Sequence, residues 1–283
     1  MNRRDEIRET LRGLPLAKAP DSQWGSIERE FAKPQPRRWR LAWMAWASAA
    51  TIVIVAIGAV VYWRASLGVI QTDASSTARI AIGNIGTVEL EPNTRVRMEV
   101  SKPNEQRLRL EHGEIRANVS APPRLFFVDT PASTAVDLGC AYSMKTDKAG
   151  DGMLRVTLGW VSLEWAGRES LVPAHAMCRT RPKIGPGTPY FEDASPGLSD
   201  ALAKFDFESG GVVDLGVVLS EARVRDTLTL WHLLSRTEGA ERERVFDRIV
   251  ELTSLPYGVT REKALSLDAT TLKHWKEELA WKW

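Results

Sequence analysis

The chain has 283 residues, of which 43% are apolar and 26% charged, with 38 Lys+Arg against 36 Asp+Glu and a net charge of +2. This composition excludes a disordered chain, a collagen-like repeat, a small disulfide-knitted scaffold and an evenly basic nucleic-acid binder, and the length suits one to three domains. The average hides a split: residues 1–40 carry ten basic and six acidic side chains, residues 41–63 carry none, and residues 64–283 carry 28 and 30.

Residues 1–36 read as a tail of two short amphipathic helices. Ile7, Leu11 and Leu14 repeat at i, i+4 and i+7, with Gly13 and Pro15 breaking the first element. Trp24, Ile27 and Phe31 share a face of the second, with Asp21 or Ser22 as its N-cap and Pro34 and Pro36 at its end. Helices this short are marginal alone in water, so their apolar stripes need cover. The cover is each other, a membrane surface or a groove on a partner protein. The bulky second stripe favours a protein groove, whereas Lys33 to Arg40 alone would suit anionic lipid.

Residues 37–64 read as a transmembrane signal anchor. Leu41 to Trp63 is 23 residues without an ionisable side chain. At about 1.5 Å per residue, a helix of that length spans roughly 30 Å of hydrocarbon with some left for tilt. Trp39, Trp43 and Trp46 at one end and Tyr62 and Trp63 at the other suit the headgroup level. Forty residues precede this run, and VVYWRAS rather than an A-x-A-like site closes it, so it reads as uncleaved. Arg29, Lys33, Arg37, Arg38 and Arg40 precede the span, against only Arg64 and Arg79 after it. The positive-inside rule then puts residues 1–40 in the cytoplasm and the remaining 220 across the membrane.

After a linker at 65–77, residues 78–185 switch toward a period of two. GTVELEPNTRVRMEV, QRLRLEHGEIRANVS, RLFFVDTP, TAVDLG and MLRVTLGWVSLEW are short β-rich runs. Pro92-Asn93, Pro103-Asn104, His112-Gly113, Pro122-Pro123 and Gly150-Asp151-Gly152 read as turns that separate strands. With no helical pattern between runs, an all-β domain of sandwich or short-solenoid kind is expected. Cys140 and Cys178 fall on the external side, where disulfides persist. The even count and the compartment favour a Cys140–Cys178 bond over two free buried thiols. His175-x-x-Cys178 is the one metal-like spacing, and His112, His232 and His274 offer no second pair, so no metal is expected.

In this order the motifs resemble the FecR domain. They are Val88, Leu90, Pro92, Asn93, Val96 and Met98 in a strand–turn–strand; Leu110, Gly113 and Glu114; then Phe126, Val128, Thr130 and Pro131. Val136, Leu138, Gly139 and Cys140 form a Leu-Gly corner, and Val156, Leu158, Gly159, Val161 and Leu163 a closing hairpin. The resemblance implies an inner-membrane regulator of an extracytoplasmic-function sigma factor, with a cytoplasmic tail acting on the sigma factor and a periplasmic domain receiving a signal. Two features depart from the family pattern. Cys140 stands where Thr is usual, which fits a branch stapled to Cys178. The chain also reads as ending in helices, where siderophore-sensing members carry a β-α-β module, and its tail is shorter than the family's usual anti-sigma domain.

Residues 186–200 read as a Pro/Gly connector and residues 201–283 as a small helical domain. Val224, Leu228, Trp231 and Leu234 make one apolar face; Val245, Phe246, Ile249 and Val250 a second; Leu272, Trp275 and Leu279 a third, capped by Asp268. The terminal Trp281 and Trp283 either pack back on the helices or mark a partner contact. Glu241–Arg244 and Arg244–Asp247 are spaced for ion pairs along a helix. No G-x-S-x-G, P-loop, G-x-G-x-x-G, HExxH or CxxC occurs, so neither an enzyme nor a cofactor is expected. The sequence therefore reads as a single-pass signal-transducing regulator of the bacterial inner membrane. Its expected partners are a sigma factor on Ile7, Leu11, Leu14, Trp24, Ile27 and Phe31, the lipid bilayer, and an unidentified periplasmic protein or ligand. The alternative is a membrane-anchored periplasmic binding or envelope scaffold protein.

Overall fold

Fourteen strands, several with alternating burial, come first in a computed structural model that describes residues 68–208 and 211–283. The tail residues Ile7 to Phe31 and the proposed span with its flanking anchors, Arg37 to Trp63, lie outside the described residues. Among the described residues no helix is long and apolar enough to cross a membrane. The strands are β1 (Val69–Gln71), β2 (Ala78–Ile82), β3 (Gly86–Leu90), β4 (Arg95–Lys102), β5 (Glu105–Val119), β6 (Phe126–Asp129) and β7 (Thr134–Asp137). They continue with β8 (Ala141–Thr146), β9 (Gly152–Leu158), β10 (Trp160–Trp165), β11 (Arg168–Pro173), β12 (Ala176–Arg181) and the two-residue β13 (Gly185–Pro186) and β14 (Tyr190–Phe191). β1 lies in the stretch read from sequence as linker and pairs antiparallel with β4.

The 15-residue β5 organises the sheet. Its first half pairs with β4 and, in parallel, with β6; its second half pairs with β3 and β8. The hydrogen-bonded path runs β11-β10-β7-β6-β5-β8-β9-β12-β13, and β11 returns beside β12 and β13, leaving the sheet nearly closed. His112-Gly113 is therefore not a turn between two strands but a bend within one. Leu108 and Leu110 point inward before it and Ile115, Ala117 and Val119 after it, so the inward face passes from even to odd residues. Gly113 makes this possible with φ +102°, and a Cβ there would sit 2.4 Å from the Cα of Thr94. The core between the two halves holds Leu108, Ile115, Phe126, Met144, Leu154 and Leu163, all fully buried.

Six α-helices follow among the described residues: α1 (Pro196–Phe207), α2 (Val212–Glu221), α3 (Thr227–Leu234), α4 (Gly239–Leu252), α5 (Arg261–Leu265) and α6 (Ala269–Leu279). α1 begins within the Pro/Gly stretch, because Pro196 suits the first helical position and the Ser195 hydroxyl accepts the Leu198 N–H at 3.1 Å. The Asp268 carboxylate accepts the Thr271 N–H at 2.8 Å at the start of α6. Leu234, Val245, Ile249, Trp275 and Leu279 close a second core, whereas Val224 is 47% exposed. Arg261, from α5, bonds Glu243 at 3.0 Å and also meets Asp247; the i,i+3 pairs expected through Arg244 do not form.

Cys140 and Cys178 are both free and buried, contrary to the expected disulfide. Register explains it. Gly159 lies against Cys140, whereas Cys178 pairs with Leu154, five residues farther along β9. At about 3.3 Å per residue that is roughly 16 Å along the strand. A disulfide takes a Cα separation of about 4.4–6.8 Å.

Candidate functional site

The residues Arg64–Trp283 make one compact unit, and polar side chains meet where its sheet and helices join. α3 reaches β11 through one partly buried polar contact. His232 Nε2 lies 3.2 Å from the carbonyl of Leu171, which fixes the proton on that nitrogen, since a carbonyl can only accept. Burial first, and the charge of Arg236 second, push this imidazole down to about 3, so it is neutral.

One turn on, Arg236 enters the seam. Its Nη1 donates to the Thr188 hydroxyl at 2.7 Å and reaches Asp206 at 3.4 Å, and its Nη2 donates to the Ser170 hydroxyl at 2.7 Å. Asp206, on α1, accepts the Thr188 N–H at 2.6 Å and its hydroxyl at 3.0 Å. Ser170 in turn donates to the Gly187 carbonyl at 2.8 Å, where the Cys178 thiol also donates, at 3.1 Å. Burial pushes that thiol up to about 12 and lowers the Arg236 guanidinium from its ordinary value. Four segments distant in sequence are thus pinned by one guanidinium and one carboxylate.

Trp283 docks beside this network. Its Nε1 donates to the Thr227 hydroxyl at 3.1 Å, and its ring lies 6.1 Å from that of Trp160 on β10 and 6.3 Å from that of Trp231 on α3. It packs against both hydrophobic cores, while Trp281 is 91% exposed. Of the two terminal tryptophans read together in the sequence, one packs back and the other faces solvent.

The residues singled out in the β region have structural partners. Cys140 donates its thiol to the buried Asp137 at 2.8 Å, and Asp137 also accepts the Gly139 N–H at 2.6 Å. Burial leads both groups upward, the thiol further raised by that carboxylate. His112 sits 3.1 Å from the Asn93 carbonyl. Its neighbour Glu111 is partly buried, which raises its carboxyl, but Arg95 at 2.6 Å and Arg97 at 3.0 Å bring it below the usual range. Among the described residues no group of three or more His, Cys, Asp or Glu is placed to hold a metal ion. Sequence reasoning missed Arg236, Asp206, Ser170 and Thr188. Arg236 is 30 residues from Asp206 and 66 from Ser170, so no local spacing could join them.

Residues 68–161 match the family model described as FecR protein. Two crystal structures of a "putative anti-sigma factor" from Parabacteroides distasonis ATCC 8503, at 2.50 and 1.65 Å resolution, are similar at 17% identity and a TM-score of 0.39. The similarity covers 53% and 54% of this chain and 73% and 74% of those chains. No curated protein matches the chain. Within its β region, at residues 68–161, the chain carries a FecR domain.

Proposed function

We propose that this chain is a single-pass regulator of an extracytoplasmic-function sigma factor, with residues 1–36 acting in the cytoplasm and the FecR domain and helices in the periplasm. The observation that carries the reading is the order of its parts. A FecR domain at residues 68–161 directly follows a 23-residue uncharged stretch, which is itself preceded by a basic segment with two apolar stripes. The role is regulatory: a single span transmits by changes in association, tilt or proteolysis, each of which needs two outside states with different ligand affinity.

The anchors proposed for the sigma factor are Ile7, Leu11, Leu14, Trp24, Ile27 and Phe31. Arg37, Arg38 and Arg40 with Trp39, Trp43, Trp46, Tyr62 and Trp63 are proposed to hold the span. Co-purification of residues 1–40 with a sigma factor encoded beside the gene tests the reading. Binding that is lost in Trp24→Ala and Phe31→Ala supports it. No binding, together with sigma-dependent reporter expression unchanged by both substitutions in the full chain, would leave an anchored envelope protein instead.

A further inference from the structure

The seam holds a cleft that the Arg236 network does not fill. Between the β10–β11 hairpin and helices α3 and α6 lies a cavity of about 520 Å³ lined by Arg168, Trp231, Arg236 and Lys276. Through Glu169, Leu171 and Lys276 it adjoins a second cavity of about 330 Å³, walled by Leu138, Trp160 and Trp283. Ligand clefts run about 300–1,000 Å³, with apolar walls and a few convergent polar groups.

The charge in the first cavity is unbalanced: beside the Arg236–Asp206 pair, Arg168 and Lys276 stand against the one carboxylate of Glu169. Arg236 is paired with Asp206, but among the described residues neither Arg168 nor Lys276 has a carboxylate within ion-pair distance. Glu169, the acidic residue lining the first cavity, accepts the Ser162 hydroxyl at 2.7 Å, and Glu277 lines the second. After burial, the charges of Arg236 and Lys276 also lower the imidazole of His232, which lines the same cavity. Partly enclosed by low-dielectric walls, such a cluster concentrates anions. The walls beside it are aromatic: Lys276 Nζ lies 5.8 Å from the centre of the Trp231 ring, and Trp283 stands between Trp231 and Trp160, tilted 59° and 52° to them. Indole faces are suited to stack on a planar ring.

We propose that this seam cleft binds a small anionic ligand carrying a flat ring, with its charge met by Lys276 and Arg168 and its ring laid against Trp283 and Trp160. The walls come from β10 and β11 on one side and α3 and α6 on the other. An occupant therefore touches both the sheet and the helices. Binding does not depend on the sigma-factor reading and can be tested apart from it.

The test is equilibrium dialysis of the full 283-residue chain against three probes: naphthalene-2-sulfonate, the neutral naphthalene-2-sulfonamide and inorganic sulfate. The expected result is saturable uptake of one sulfonate per chain, with the sulfonamide and sulfate each at least about tenfold weaker. Lys276→Glu and Arg168→Ser should each weaken the sulfonate about tenfold at an unchanged melting temperature. These side chains lie on different elements, so if one variant folds poorly the other still decides. No saturable uptake, equal affinity for the sulfonamide or for sulfate, or wild-type binding by either folded variant overturns the proposal.

Discussion

The guanidinium of Arg236 lies 3.4 Å from the carboxylate of Asp206, and both side chains are shut away from solvent, at 4% and 3% exposure. Removing two charges from water costs several kcal/mol per ion, which attraction offsets only when the remaining donors and acceptors are satisfied. Thr188 and Ser170 supply those bonds here. The pair thus ties the helices to the strand region at Ser170 and Thr188, and its desolvation cost offsets much of its attraction.

Breaking one side should be severe. Asp206→Ala leaves a buried guanidinium without its counter-charge and is expected to cost about 3–5 kcal/mol. Replacing both partners, Arg236→Met with Asp206→Leu, should recover most of that loss. Equilibrium urea unfolding of the single and double variants checks this. A double variant no more stable than Asp206→Ala would mean that the attraction within the pair outweighs its desolvation cost.

The neutral, buried His232 makes stability depend on pH. Its imidazole is held at about 3 in the folded chain, against about 6.5 in an unfolded one. Between those values the unfolded chain binds a proton that the folded chain refuses, so stability rises with pH across this window. The contribution is fully present above about 6.5 and falls by up to roughly 1.4 kcal/mol per pH unit on acidification. Glutamine can keep an N–H to the Leu171 carbonyl without titrating. His232→Gln should therefore flatten the slope of unfolding free energy between pH 4 and 6.5, and an unchanged slope would assign it to other groups.

The sheet was legible in the sequence to the extent that its signals are local. Pro92-Asn93, Pro103-Asn104, Pro122-Pro123 and Gly150-Asp151 each fall at a break between strands, because turn chemistry acts over a few residues. At His112-Gly113 the same signal was present, a glycine where the apolar alternation changes phase. A phase change is produced equally by a turn and by a bend within one strand. Only the pairing of β4 with one half of β5 and β8 with the other decides between them. The seam was not legible at all. Arg236, Asp206 and Ser170 look like ordinary surface polar residues until the fold removes water from them.

The bend in β5 is open to a direct test. Gly113→Ala adds a methyl 2.4 Å from both the Cα and the hydroxyl of Thr94, at a backbone angle that L-residues avoid. A cost of about 3 kcal/mol or more is expected from strain and collision together. Gly167→Ala also falls at positive φ, in the two-residue turn between β10 and β11, but nothing lies within 4 Å of the added atom. Strain alone should then cost about 1 kcal/mol. Thermal unfolding of the two variants checks the ranking; equal losses would remove the packing argument.

The two cysteines show how an argument from count and expected compartment can fail on geometry. An even count and an oxidising side say that a disulfide could persist, but neither brings two sulfurs together; β-sheet register does, and here it holds them apart on either side of β9. Each thiol instead donates a hydrogen bond to an oxygen, Cys140 to Asp137 and Cys178 to the Gly187 carbonyl. Burial raises both above the ordinary thiol range, so little reactive thiolate forms near neutral pH. The folded full chain should therefore resist iodoacetamide at pH 8. After unfolding in guanidinium without reductant, it should take up two equivalents by intact mass. A mass that stays unlabelled until reductant is added would mean that Cys140 and Cys178 are bonded and that the register across β8, β9 and β12 is different.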